Sequence, residues 1–163
     1  MWIYFDSSAL VKRYSAESGT ELVNILFRQH PTSQMTCASI CVLEIVSVLV
    51  RKHNDGRMSS ELFAQALLNL ENEIIAGDSF PFVPIDDQLL FAALDLITRH
   101  HINSSDAIIL RSCLNVHQVL AGRGDQLILW SSDKRLLRAA KNEGVAVFDP
   151  EVETEKSLTD ILG

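Results

Sequence analysis

Residues Trp2–Tyr14 read WIYFDSSALVKRY. Trp2 to Phe5 is a short apolar run of β-branched and aromatic residues, and it predicts a buried strand. Asp6 follows directly, then Ser7 and Ser8, and Ala9–Tyr14 predicts a helical turn or two. A strand that ends in a carboxylate and passes at once into helix opens a β/α unit, and the rest of the chain continues that alternation.

Glu17–His30 predicts a helix with Leu22, Ile25 and Leu26 on one face, closed by Pro31. Gln34–Cys37 predicts a second strand. Ser39–Lys52 predicts a long helix, ended by Asn54-Asp55-Gly56. Ser59 or Ser60 caps another helix, which runs to about Ala76 before Gly77. Phe80–Ile85 predicts a strand whose prolines place it at an edge or an end. Asp86–His100 and Ser104 to about Val116 predict helices, and Asn115–Asp125 reads as a long, loop-like connection. Leu127–Trp130 predicts a strand, Lys134–Asn142 a helix and Val145–Phe148 a last strand. The expected fold is therefore α/β, a parallel sheet with helices on both faces. Residues 1–150 form the expected domain, and 151–163 an acidic, polar tail with no assigned structure.

The chain has 163 residues, enough for one domain with a sizeable core. Its apolar fraction of 47% argues for a packed globule over disorder. No apolar run reaches the roughly 18 residues of a membrane span. MWIYFDSS lacks the basic region and cleavage site of a signal peptide. Cys37, Cys41 and Cys113 leave one thiol over in any pairing and read as reduced. These features together imply a cytoplasmic protein with no membrane contact. The formal charge of −7 disfavours a general electrostatic grip on nucleic acid, so any such contact must be local.

The stretch Ala38–Val50, ASICVLEIVSVLV, poses the chemical question. On a helix, the side chains touching Glu44 belong to Ile40, Cys41, Ser47 and Val48, and none is basic. A buried carboxylate costs several kcal/mol unless it is paired, protonated or bound to a metal. In open parallel sheets functional groups collect beyond the carboxyl ends of the strands. Asp6 stands there after the first strand and Asp133 after the fourth, while Asp106 opens a helix in INSSDAIIL and Glu44 lies on the helix after the second strand. Each has a plain alternative. Asp133 reads as an N-cap, Asp106 as part of a capping box with Asn103, Asp6 as a turn residue, and Glu44 as a partly exposed acid near a distant arginine. Taken together, four carboxylates around one crevice would repel one another, and a divalent cation removes that cost. Hard oxygen ligands suit Mg²⁺ or Mn²⁺, and a pair of such ions can activate water for phosphodiester hydrolysis.

Lys12 and Arg13 follow the Asp6 segment, Arg51 and Lys52 end the Glu44 helix, and Lys134, Arg135 and Arg138 follow Asp133. They read as solvated helix faces or, for some, as a rim that holds RNA phosphates. Neither a GxxxxGK[ST] phosphate loop nor a GxSxG elbow occurs.

The segments YFDSSALVKRYSAESGTE, the small–apolar–Glu helix at Glu44, SSDAIIL at Asp106 and SSDKRLLRAA at Asp133 stand in the order of the PIN-domain family's acidic motifs. The closing KNEGVAVFDPE is also similar. The resemblance runs from about Ile3 to Glu151 and is closest to the VapC-type toxins of toxin–antitoxin pairs. It implies a three-layer sandwich with a five-stranded parallel sheet in the order 3-2-1-4-5. It implies Mg²⁺- or Mn²⁺-dependent cleavage of RNA, with Asp6, Glu44, Asp106 and Asp133 as ligands and water-activating groups. It gives Ser131, where the family often has Thr, a supporting hydrogen bond. A small antitoxin partner and a homodimer are also implied. A stand-alone nuclease of RNA processing and a non-catalytic RNA- or protein-binding module are the competing readings. A haloacid-dehalogenase-type phosphatase is disfavoured because Ser8 stands where a second Asp is needed.

Overall fold

The structure is a computed structural model and describes residues 1–162; Gly163, the last residue of the expected tail, lies outside them. Its centre is a parallel sheet of five strands in the order β3-β2-β1-β4-β5. The strands are β1 (Trp2–Phe5), β2 (Met35–Ala38), β3 (Phe82–Val83), β4 (Leu127–Trp130) and β5 (Ala146–Phe148). β1 pairs on both sides, Phe5 standing opposite Cys37 and Trp130. All four residues of β2 and of β4 are buried, as continuous apolar runs in a doubly covered sheet should be. β3 is an edge strand of only two residues. Pro81 and Pro84 flank it and lack the N–H groups that would extend the ladder, which shortens the expected strand.

The crossovers between parallel strands place helices on both faces of the sheet. Before β3, the chain forms α1 (Ser7–Leu10, continued by a 3₁₀ turn at Val11–Arg13), α2 (Thr20–Gln29), α3 (Ile40–Asn54) and α4 (Ser60–Leu70). A π turn, Glu71–Ile75, lengthens α4. After β3 come α5 (Asp87–Ala92), α6 (Leu94–His100), α7 (Ser104–Ala121) and α8 (Lys134–Asn142). Alternation along β1 shows the two faces. Tyr4 donates its hydroxyl to Ser112 Oγ on α7 at 2.7 Å, while the next residue, Phe5, packs on Phe27 of α2 with ring centroids 5.8 Å apart.

Three expectations need correction. The single helix over Asp86–His100 is broken at the buried Ala93 into α5 and α6, with no Pro or Gly to announce it. The connection read as loop-like from Asn115 is helical to Ala121, because Leu120 packs into the core and Gly122 caps the end. The stretch after Pro150 is not structureless. It forms α9 (Glu155–Leu162), which packs against α2 and buries Leu158 completely.

Candidate active site

β1 and β4 lie side by side where successive crossovers leave in opposite directions, the point at which open α/β sheets form a crevice. Asp6 follows β1 and donates its N–H to the Trp130 carbonyl at 2.9 Å, so the sheet itself fixes its backbone. Its side chain is buried. Oδ2 accepts from Ser8 Oγ at 2.5 Å and from Ser131 Oγ at 2.9 Å. Ser8 Oγ accepts from the Ser132 N–H at 2.9 Å, and Ser131 Oγ from the Asp133 N–H at 3.0 Å. One oxygen of Asp6 is thus anchored by hydroxyls from both neighbouring strand ends. The other, Oδ1, has only a 3.4 Å contact from Ser7 Oγ. Burial raises the Asp6 carboxyl above its usual value; the two hydroxyls oppose this and the charge of Glu44 adds to it.

Among the described residues, no Lys, Arg or His pairs with Glu44. Ser105 Oγ, from the first turn of α7, donates to its Oε1, and Oε2 is buried with no partner. Asp106 is the next residue on α7. Asn103 caps that helix by accepting the Asp106 N–H at 2.8 Å. The Asp106 carboxylate does not reciprocate as a capping box requires, and its Oδ2 is also buried without a partner. Burial, and then the charges of Asp133 and Asp6, push the Asp106 carboxyl up to about 6, against a smaller opposing effect of Arg135. Asp133 does serve as the cap of α8. Its Oδ1 accepts from the N–H groups of Arg135 and Leu136 at 2.7 and 3.1 Å, and Oδ2 takes no part.

The four predicted carboxylates lie within electrostatic reach of one another around the crevice. Glu44 acts on Asp6, and Asp6 and Asp133 act on Asp106. Among the described residues no three Asp, Glu, His or Cys side chains stand close enough to hold one ion as they are. Their chemistry fits a hard divalent cation all the same. The donors are all carboxylate oxygens, and two of them are buried and unpartnered.

The basic residues separate. Arg135 is exposed and acts on Asp106, and Arg51 is exposed at the end of α3. Lys134 pairs with Asp149, and the buried Lys12 pairs with Glu17 and Glu151. Arg13 does not rim the crevice. Its guanidinium is bound by Glu73 and Asn24 and lies 5.1 Å from the Phe27 ring centroid, where it ties α1 to α2 and to the end of α4. Ser8 and Ser105 were not legible as site residues. Ser105 adjoins Asp106 in sequence, but nothing local says that it reaches across to Glu44.

The PIN domain family profile matches residues 3–142. The chain belongs to the PIN-domain family. Ten solved chains match its fold. One is the crystal structure of PAE2754 from Pyrobaculum aerophilum, with a TM-score of 0.62 at 16% identity, covering 99% of this chain and 95% of that one. At that identity the likeness shows the fold. No curated protein matches the chain. PIN domains are generally nucleases and typically use divalent metals, which agrees with the all-oxygen donor set found here. No described helix is long and apolar enough to cross a membrane.

Proposed function

We propose that this PIN domain is a divalent-metal-dependent endoribonuclease that hydrolyses RNA phosphodiester bonds, acting as the VapC-type toxin of a type II toxin–antitoxin pair. The observation that carries the nuclease reading is the pair of buried, unpartnered carboxylate oxygens on Glu44 and Asp106 beside the anchored Asp6. Acids left this way cost stability in the free protein and offer ligands to a cation. Asp6, Glu44, Asp106 and Asp133 would hold Mg²⁺ or Mn²⁺, which supplies an activated water and charge neutralisation at the phosphate. Ser8 and Ser131 aim Asp6, Ser105 aims Glu44, and the exposed Arg135 offers a cation to the substrate. The toxin assignment rests on the resemblance of the closing segment KNEGVAVFDPE to the VapC-type subgroup. A small antitoxin and a homodimer belong to the same proposal.

The competing reading is a PIN module that binds RNA or protein without cutting. Cleavage assays on structured and single-stranded RNAs decide between them, with Mg²⁺ or Mn²⁺, with EDTA, and with Asp6→Asn. Metal-dependent cutting lost in the variant supports the nuclease. RNA binding without cutting under every condition supports the module. Growth arrest on expression, relieved by Asp6→Asn or by a co-expressed small neighbouring protein, tests the toxin assignment.

A further inference from the structure

Two lysines border the carboxylate crevice, and acids of one short segment hold both. β5 ends at Phe148, and Asp149-Pro150-Glu151 follows. Lys134, next to Asp133, pairs with Asp149. Lys12, on the turn after α1, pairs with Glu151 at 2.6 Å and with Glu17 at 3.0 Å. Its side chain is only 2% exposed. Lysine is almost never buried this far unless it is paired, and one carboxylate suffices to pair it. Here there are two.

The two are not equivalent. Glu17 also takes Lys52 on its other oxygen. Burial raises its carboxyl, but the hydrogen bonds from Lys52 and Lys12 outweigh this and hold it below the usual range. Glu17 is therefore locked between two cations. Glu151 has Lys12 as its one side-chain partner among the described residues, and its side chain is the more exposed, 38% against 28%. Its backbone stays in place without that contact, because Asp149 Oδ1 accepts the Glu151 N–H at 3.0 Å. The side chain can therefore leave Lys12 without the turn moving.

Beside this pair lies an open cavity of about 350 Å³; Val11 and Val48 form part of its wall, and its polar lining is Ser8, Lys12, Glu17, Ser132, Asp133 and Glu151. Ser8 and Ser132 belong to the hydrogen-bond net around Asp6. The cavity is thus continuous with the crevice, and Lys12 is its buried cation. With Glu151 the group of Lys12, Lys52, Glu17 and Glu151 is neutral; without Glu151 it carries one positive charge, in a chain whose formal charge is −7.

We propose that Lys12 is a backbone-phosphate site on the RNA path next to the carboxylates, and that Glu151 occupies it as an internal counter-anion until a phosphate displaces it. The proposal rests on the ribonuclease reading. It exchanges one anion for another, so the buried ammonium is never left unpaired, and Glu17 with Lys52 keeps it in place throughout. Binding of RNA then has to open the Lys12–Glu151 pair, which selects against weak, non-specific contacts.

The test is fluorescence anisotropy of a labelled single-stranded RNA in EDTA over a range of salt, with the full chain and with Glu151→Gln, Glu153→Gln and Lys12→Gln. Glu153 lies on the same exposed stretch and makes no contact with Lys12, so it controls for the lost charge. Glu151→Gln is expected to bind roughly three- to tenfold tighter, the effect of not having to open a half-exposed ion pair. Glu153→Gln is expected to change affinity by less than about twofold at physiological salt. Lys12→Gln is expected to bind more weakly, with a salt slope smaller by about 0.7. If Lys12→Gln does not fold, the Glu151→Gln and Glu153→Gln pair still decides. A wild type that cuts RNA with Mn²⁺, together with Glu151→Gln no tighter than Glu153→Gln, overturns this proposal and leaves the ribonuclease standing. A wild type that neither binds nor cuts RNA overturns both.

Discussion

Replacing Asp106 by Asn should stabilise the protein in metal-free buffer while abolishing cleavage. In the folded state burial and the charges of Asp133 and Asp6 raise this carboxyl from 3.8 to about 6. A rise of that size corresponds to about 3 kcal/mol against the charged form. That rise already includes the opposing charge of Arg135; solvent screening at a crevice whose Ser132 and Asp133 are only half-buried brings the usable figure to about 1–2 kcal/mol. The sign follows from linkage. A group whose folded value is raised favours folding fully below its unfolded value, and that contribution is lost as pH rises through about 6. At about pH 7.5 the penalty on the wild type is complete, and at about pH 4 it has nearly vanished. Asn has the shape of Asp and no charge, so the variant escapes the penalty. For a domain of this size the gain is roughly 2–8 °C in Tm at about pH 7.5, shrinking towards zero near pH 4. Differential scanning calorimetry of both proteins in EDTA across that range reads it directly. A lower Tm for Asp106→Asn at about pH 7.5 would refute the argument, and so would a difference that does not change with pH. Either result would show that the carboxylate supports the start of α7 more than its neighbours repel it.

Other substitutions read the rest of the site. Glu44→Gln should weaken Mn²⁺ binding in titration calorimetry by at least about tenfold, because it removes a buried charged ligand; unchanged heats would take Glu44 out of the metal site. Ser131→Ala removes a bond to Asp6 and the acceptor of the Asp133 N–H, and should cost about 1–3 kcal/mol in urea unfolding along with much of the cleavage rate, while Ser131→Thr keeps both. Leu158→Ala should cost about 2–5 kcal/mol, since Leu158 is fully buried by α9 and its neighbours. An unchanged denaturation midpoint would mean that α9 is not part of the cooperative core.

The amino-acid sequence alone determined the parts of this protein that depend on short-range chemistry. WIYF and LILW are apolar without interruption, and a strand covered on both faces requires that. Asp6 and Asp133 could be placed at strand ends because each follows such a run directly. Glu44 could be marked as unusual because the residues three and four away on its own helix include no cation. What the sequence did not disclose depends on which surfaces meet. The break at Ala93 and the extension of α7 to Ala121 follow from packing, with no Gly or Pro inside either element to signal it. Ser105 reaches Glu44 only because α7 lies where the crossover after β3 returns the chain to β4. The pairing of Lys12 with Glu151 joins the first turn of the chain to the segment after its last strand, and no local pattern encodes a contact of that separation. Carboxylate identity is local information; which carboxylates stand together, which oxygen each leaves free and which lysines are already taken are decided by the tertiary fold.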